Sequence, residues 1–141
     1  MNDKDTAKQK ARIKKYMDKW HETLGLKWFE VNITYERSYS TDESAAITVM
    51  DRWQYRSFDI TFYLPNMSDL DDEHLEGVIV HELVHCLTAP FAMNMKGTED
   101  NDGYRRDLIE QTTTIITNAI EWAYQAGVES VKVNKVNKEK K

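Results

Sequence analysis

Between Leu75 and Leu87 the chain sets apolar residues in nearly every direction around a helix: Leu75, Val78, Ile79, Val80, Leu83, Val84, Cys86 and Leu87. A helix that is apolar all round belongs in a protein interior. The same stretch carries His81, Glu82 and His85, in the run Val78-Ile-Val-His-Glu-Leu-Val-His-Cys-Leu87. Ionisable groups inside such a helix need partners, and a bound metal ion supplies them. Histidines at positions i and i+4 are offset by about 40° and rise by about 6 Å, so both imidazoles reach one ion from one face. Glu82 is turned about 100° away from His81. Its carboxylate is therefore set beside the ion rather than on it, where it can take a proton from water.

A chain of 141 residues has enough length for one domain with a real core. We expect that domain over residues 1–127, followed by a basic, disordered tail over 128–141. Hydrophobic content of 40% and charged content of 30% are ordinary for a globular protein. No apolar run approaches membrane-spanning length. Met1 to Lys10 is polar and lacks an apolar signal core, and Cys86 is the only cysteine. Together these point to a reducing cytoplasm rather than a disulfide framework. The net charge of −5 is unevenly spread: residues 1–20 hold seven Lys/Arg against three acids, and residues 128–141 hold five Lys against two Glu. The stretch between carries seven basic and 19 acidic residues. Basic ends can touch nucleic acid or a partner, and they are equally explained by a solvated helix face and a loose tail.

The rest of the chain reads as α+β. Ile13, Tyr16, Met17, Trp20 and Leu24 space an amphipathic helix over 6–24, with Gly25 as its stop. Phe29, Val31, Ile33 and Tyr35 alternate as a half-buried strand that begins at Trp28. Ala45 to Arg52 and Phe58 to Leu64 are two further β-rich runs, joined through Trp53 to Ser57 as a hairpin or short excursion. The expected sheet is small, three-stranded and mainly antiparallel, and Pro65-Asn66 ends it. Ser68 is the expected N-cap of the buried helix, with Asp69, Asp71 and Asp72 in its first turn. That helix should stop near Leu87 or Thr88, short of Pro90. Residues 91–103 read as a loop. A last helix runs from Tyr104 to Tyr124 and ends at Gly127, with an apolar arc of Leu108, Ile109, Thr112, Ile115, Ile116, Ala119, Ile120 and Ala123.

Catalytic zinc usually takes three protein ligands and leaves one position for water. His81 and His85 supply two. A third histidine six residues after the second, with glycine between, is absent, because Phe91 and Thr88 occupy those positions. Cys86 adjoins His85 and points about 100° away. Glu110 on the last helix is the better candidate. Thr113, Thr114 and Thr117 share its side, where a solvated face would more often carry Lys, Glu or Gln. Such compact residues let that helix come close to the buried one. Asp107, and then Glu99, Asp100 and Asp102, are the alternatives.

At this point the chain resembles the zincin metallopeptidases. Val78 to Leu87 fits their extended His-Glu-x-x-His pattern at every position, and with Glu110 the chain is similar to the gluzincins. It also resembles the small zincin-like proteins often encoded by phages and prophages, related in plan to the SprT-like group. The resemblance implies a Zn2+ ion held by His81, His85 and Glu110. It further implies Glu82 as general base, a peptide or protein substrate, and a small sheet whose edge strand binds an extended peptide. The family's glutamate motif has Asn before the glutamate and Ser-Asp three and four residues after it. Here Ile109, Thr113 and Thr114 stand there. The expected carboxylate behind a ligand histidine is missing, so an aspartate elsewhere or a backbone carbonyl must orient the ring.

Tyr104 is a candidate donor to a tetrahedral oxyanion, with capping or packing as its plainer role. His74 is too far along the helix to share the ion and reads as a surface histidine or part of the cleft rim. His21 reads as surface. The four tryptophans read as core or half-buried. Met93 and Met95 suit either loop packing or an adaptable contact. Peptide hydrolysis is the leading reading. A zincin fold used for binding, and a zinc hydrolase acting on another amide, are the alternatives. A deformylase would need a cysteine ligand upstream, and none precedes Cys86.

Overall fold

The first helix sets the frame for the site. Asn2 caps it, its side-chain oxygen accepting from the Asp5 N–H at 2.9 Å, and α1 runs over Asp3–Thr23. It stops where the sequence predicts. Gly25 takes the left-handed conformation with φ 68°, which a residue with a Cβ adopts only at a cost. A short 3-10 turn, Leu26–Trp28, leads into β1, Glu30–Glu36. The remaining elements are β2 (Ala45–Thr48), β3 (Ser57–Tyr63), α2 (Leu64–Ser68), α3 (Asp72–Asn94) and α4 (Asp102–Glu139). This computed structural model describes residues 2–41, 45–48, 57–94 and 102–139, with side chains except at 45–48, 89–94, 102–106 and 130–139.

The result is a mainly helical α+β chain with one small sheet. Strand order is β1-β3-β2. β1 runs parallel to β3, from Glu30 opposite Ser57 to Glu36 opposite Tyr63. β2 runs antiparallel to β3, from Ala45 opposite Phe62 to Thr48 opposite Asp59. The longer pairing is thus the parallel one, which corrects the expectation of a mainly antiparallel sheet. A parallel neighbour needs a crossover, and the stretch between β1 and β3 provides it by carrying β2 to the far side of β3. The connection from Trp53 to Arg56 lies outside the described residues.

The core fills the space between α1, the sheet and α3. Ile13, Tyr16, Met17 and Trp20 of α1 meet Phe58, Ile60 and Phe62 of β3, Leu64 and Met67 of α2, and Leu75, Ile79, Val80, Leu83 and Val84 of α3. Phe29, Val31, Ile33 and Tyr35 pack against it half-buried, as their alternation predicts. Trp20 is buried, but Trp28 and Trp122 are 76% and 75% exposed, contrary to the expectation that the tryptophans are core or half-buried. Trp28 sits in the turn before the strand rather than on its inward face.

Three helix boundaries differ from expectation. Ser68 is the last residue of α2 and not the cap of α3. The cap role falls to Asp71, whose Oδ1 accepts from the His74 N–H at 2.9 Å. Pro90 does not end α3, which continues to Asn94; a proline forfeits one helical N–H bond without ending every helix that holds it. Gly127 does not end α4, which continues to Glu139. Among the described glycines only Gly25 has positive φ. A glycine that stays in the right-handed region weakens a helix without stopping it.

Candidate metal centre

The entry to α3 is fixed by one side chain of α1. The Arg12 guanidinium of α1 donates to the Leu70 carbonyl at 2.8 Å and to Asp72 at 2.7 Å. Within α3, Leu75, Ile79, Leu83 and Cys86 are core residues, all at most 2% exposed. The helix is thereby clamped on its inner side. His81 and His85 occupy successive turns, next to the surface that α4 covers.

Residues of α4 meet that surface with a compact polar edge. Thr113 and Thr117 are buried, with Ile116, Ile120 and Tyr124 half-buried against the core. Ile115 is 68% exposed, and Ala119 and Ala123 are exposed as well. The expected apolar arc is therefore corrected: α4 is rotated so that threonines, rather than Ile115 and the alanines, enter the helix–helix contact. That rotation brings Glu110 over the histidine pair.

His81 Nε2 lies 3.3 Å from Glu110 Oε2. His85 Nε2 lies 3.1 Å from His81 Nε2 and 3.5 Å from Glu110 Oε2. Ligands about 2.0–2.1 Å from a tetrahedral zinc ion stand roughly 3.3–3.4 Å from one another. The three separations bracket that edge length, so the donor set fits a small divalent ion. Two imidazole nitrogens and a carboxylate oxygen are also the donors such an ion takes. Side-chain exposure rises from 11% at His85 and 25% at His81 to 49% at Glu110. The cluster is thus closed at its base and open to solvent on the Glu110 side.

Electrostatics favour ligation. Burial pushes the His85 pKa below its ordinary value, the Glu110 carboxylate opposes that and the neighbouring His81 adds to it. A neutral imidazole is the form that binds metal. His85 Nδ1 lies 3.4 Å from Thr113 Oγ1, and Thr113 Oγ1 lies 3.3 Å from Thr88 Oγ1. Glu82 is buried and is not among the converging side chains. Cys86 is turned into the core, and burial pushes its thiol up to about 12.

The sequence candidates divide cleanly. His81, His85 and Glu110 come together. Asp107 is exposed and outside the cluster. Glu99, Asp100 and Met95 lie outside the described residues, as do the side chains of Asp102, Met93 and Tyr104; the Tyr104 backbone belongs to the first turns of α4. His74 is exposed and pairs with Asp71 at 2.7 Å. His21 is more than a surface group: half-buried, it places Nε2 3.1 Å from the Phe29 carbonyl and braces the turn into β1. Thr88 was not legible as a site residue. Its only signal is that it stands three residues after a candidate ligand and faces the threonines of the next helix.

Facing helices that bring two histidines and a carboxylate to metal-ligand spacing, with a buried acid in the same motif, define a candidate metal-dependent hydrolase site. The chain belongs to a phage metallopeptidase family: the profile described as "Putative phage metallopeptidase" matches residues 1–107. The matched span contains His81, Glu82 and His85 and ends before Glu110. Neither a curated protein nor a solved structure matches the chain. Among the described residues, no helix is long and apolar enough to cross a membrane.

Proposed function

We propose that this protein is a zinc-dependent peptidase of gluzincin type, acting on peptide or protein substrates. The mutual spacing of His81, His85 and Glu110 carries the reading. These three side chains hold the ion. A zinc ion held there would supply Lewis-acid chemistry, polarising a carbonyl and lowering the pKa of water.

The remaining work belongs to the chain. Glu82, one residue along from His81 and held in a buried setting, takes the proton from the attacking water on its carboxylate. It then delivers that proton to the leaving amine nitrogen. His85, at the closed base of the site, is the least exposed of the three. Glu110, the most exposed of the three, borders the side from which a substrate carbonyl arrives. Tyr104 is the candidate donor to the tetrahedral oxyanion.

Digestion of an unbiased peptide library, with and without a chelator, tests this. Cleavage that is abolished by chelation and restored by zinc is expected. A zinc-loaded protein that cleaves no peptide in the library contradicts peptidase activity and leaves the alternative of a binding module built on the same fold.

A further inference from the structure

The ring of His85 has two nitrogens, and a metal can use Nε2 only if the proton sits on Nδ1. Something must hold that proton there. Among the described residues the group facing Nδ1 is neither a carboxylate nor a backbone carbonyl but the Thr113 hydroxyl, at 3.4 Å. Thr113 is fully buried, at 0% exposure. The Thr113 oxygen is also 3.3 Å from the Thr88 hydroxyl. Thr88 in turn shares its single hydrogen between two carbonyls of its own helix, Val84 at 3.4 Å and His85 at 3.3 Å.

The direction of this chain follows from its far end. Carbonyl oxygens only accept. A threonine hydroxyl lying over the carbonyls of the preceding turn gives its hydrogen to them. Thr88 therefore accepts from Thr113, and Thr113, its single hydrogen used, accepts from His85 Nδ1–H. Running the chain the other way would set the lone pairs of the Thr88 oxygen against two carbonyl oxygens at 3.3 and 3.4 Å. All the links are at the long end for hydrogen bonds. Their role is to set polarity and ring orientation.

We propose that Thr88 and Thr113 form a neutral hydroxyl relay that fixes His85 as its Nδ1–H tautomer and presents the Nε2 lone pair to the ion. Thr113 is thus a positioning residue, acting through His85. The proposal rests on the zinc reading above for its purpose, but the polarity of the relay is a property of the metal-free protein.

The test uses both facts. Nitrogen-detected NMR of the histidine rings in the metal-free protein, at a pH where the rings are neutral, should find the His85 proton on Nδ1. Zinc affinity is then measured by competition with a chromophoric chelator. Thr113→Val keeps the shape and deletes the hydroxyl; it should weaken zinc about 10-fold or more and remove the tautomer bias. Thr113→Ser keeps a hydroxyl and should stay within about 3-fold of the parent. Thr88→Val cuts the anchor from the other end and should change affinity in the same direction as Thr113→Val. It carries the test should Thr113→Val not fold. A proton found on Nε2 in the metal-free parent overturns the relay, as does a folded Thr113→Val that binds zinc like the parent. A parent that binds no zinc sinks the metal reading instead, while the tautomer measurement still decides the relay.

Discussion

His81 and Glu110 stand 29 residues apart in the chain and 3.3 Å apart in space. Nothing local brings them together. α3 holds one and α4 the other, and the contact exists because Thr113 and Thr117 let the two helices approach. If Glu110 is the third ligand, Glu110→Gln should reduce zinc affinity by more than the roughly 10–100-fold typical of residues one shell further out. Asp107→Asn, on the exposed side of the same helix, should leave affinity unchanged. Competition titration of both variants checks this, and the reverse ranking would assign the ligand to Asp107.

Thr117 supplies a second prediction. Its hydroxyl oxygen is buried and, among the described residues, has no hydrogen-bond partner. Unlike Thr113, it contributes shape and no bond. Thr117→Val keeps that shape and removes a desolvated polar atom, so stability should be unchanged or rise by up to about 1 kcal/mol. Thermal or urea denaturation of the metal-free protein measures it. A loss of about 2 kcal/mol or more would show that the hydroxyl has a partner after all.

Glu121 predicts a pH dependence. Burial raises its pKa above the ordinary 4.5, and the nearby Glu76 and Glu73 carboxylates push it further the same way. The folded state therefore holds this proton more tightly than the unfolded chain. The effect leaves stability intact below about pH 4.5 and erodes it as pH rises through the folded value. Glu121→Gln should accordingly be more stable than the parent at pH 7, by less than about 1 kcal/mol because the group is partly solvated. The difference should vanish near pH 4. Denaturation midpoints of the two proteins across that range test the sign.

Cys86 predicts inertness. With the residue at 2% exposure and its thiol pKa pushed up to about 12, the native protein should not react with a thiol reagent on the timescale of minutes. Full reaction should appear once denaturant is added. Rapid native labelling would place the thiol outside the core and reopen it as a ligand.

Much of this architecture is legible in the residues, and the reasons for the exceptions are physical. The stop of α1 can be read because Gly25 uses a conformation open to glycine. Gly127 looks the same in a sequence, but its helix stays right-handed, and only the structure distinguishes the two. The alternation from Phe29 to Tyr35 predicts a strand but carries no information about which neighbour it takes, so the parallel partner β3 was hidden. The clustered histidines can be read because polar rings are costly in an apolar helix. Glu110 is harder, since an acid on a helix face is ordinary, and only its threonine neighbours mark it. The partner of His85 could not be read at all. It is assembled from Thr88 and Thr113 on different helices, and it replaces the carboxylate or carbonyl that the sequence led us to expect.

The central claim is that Glu82 moves the proton while His81, His85 and Glu110 hold the metal. Parallel measurement of zinc content and peptide hydrolysis in Glu82→Gln tests it most directly. The account predicts zinc retained at the parent level and hydrolysis reduced by about 100-fold or more. A variant that keeps both its zinc and its normal cleavage rate would contradict it.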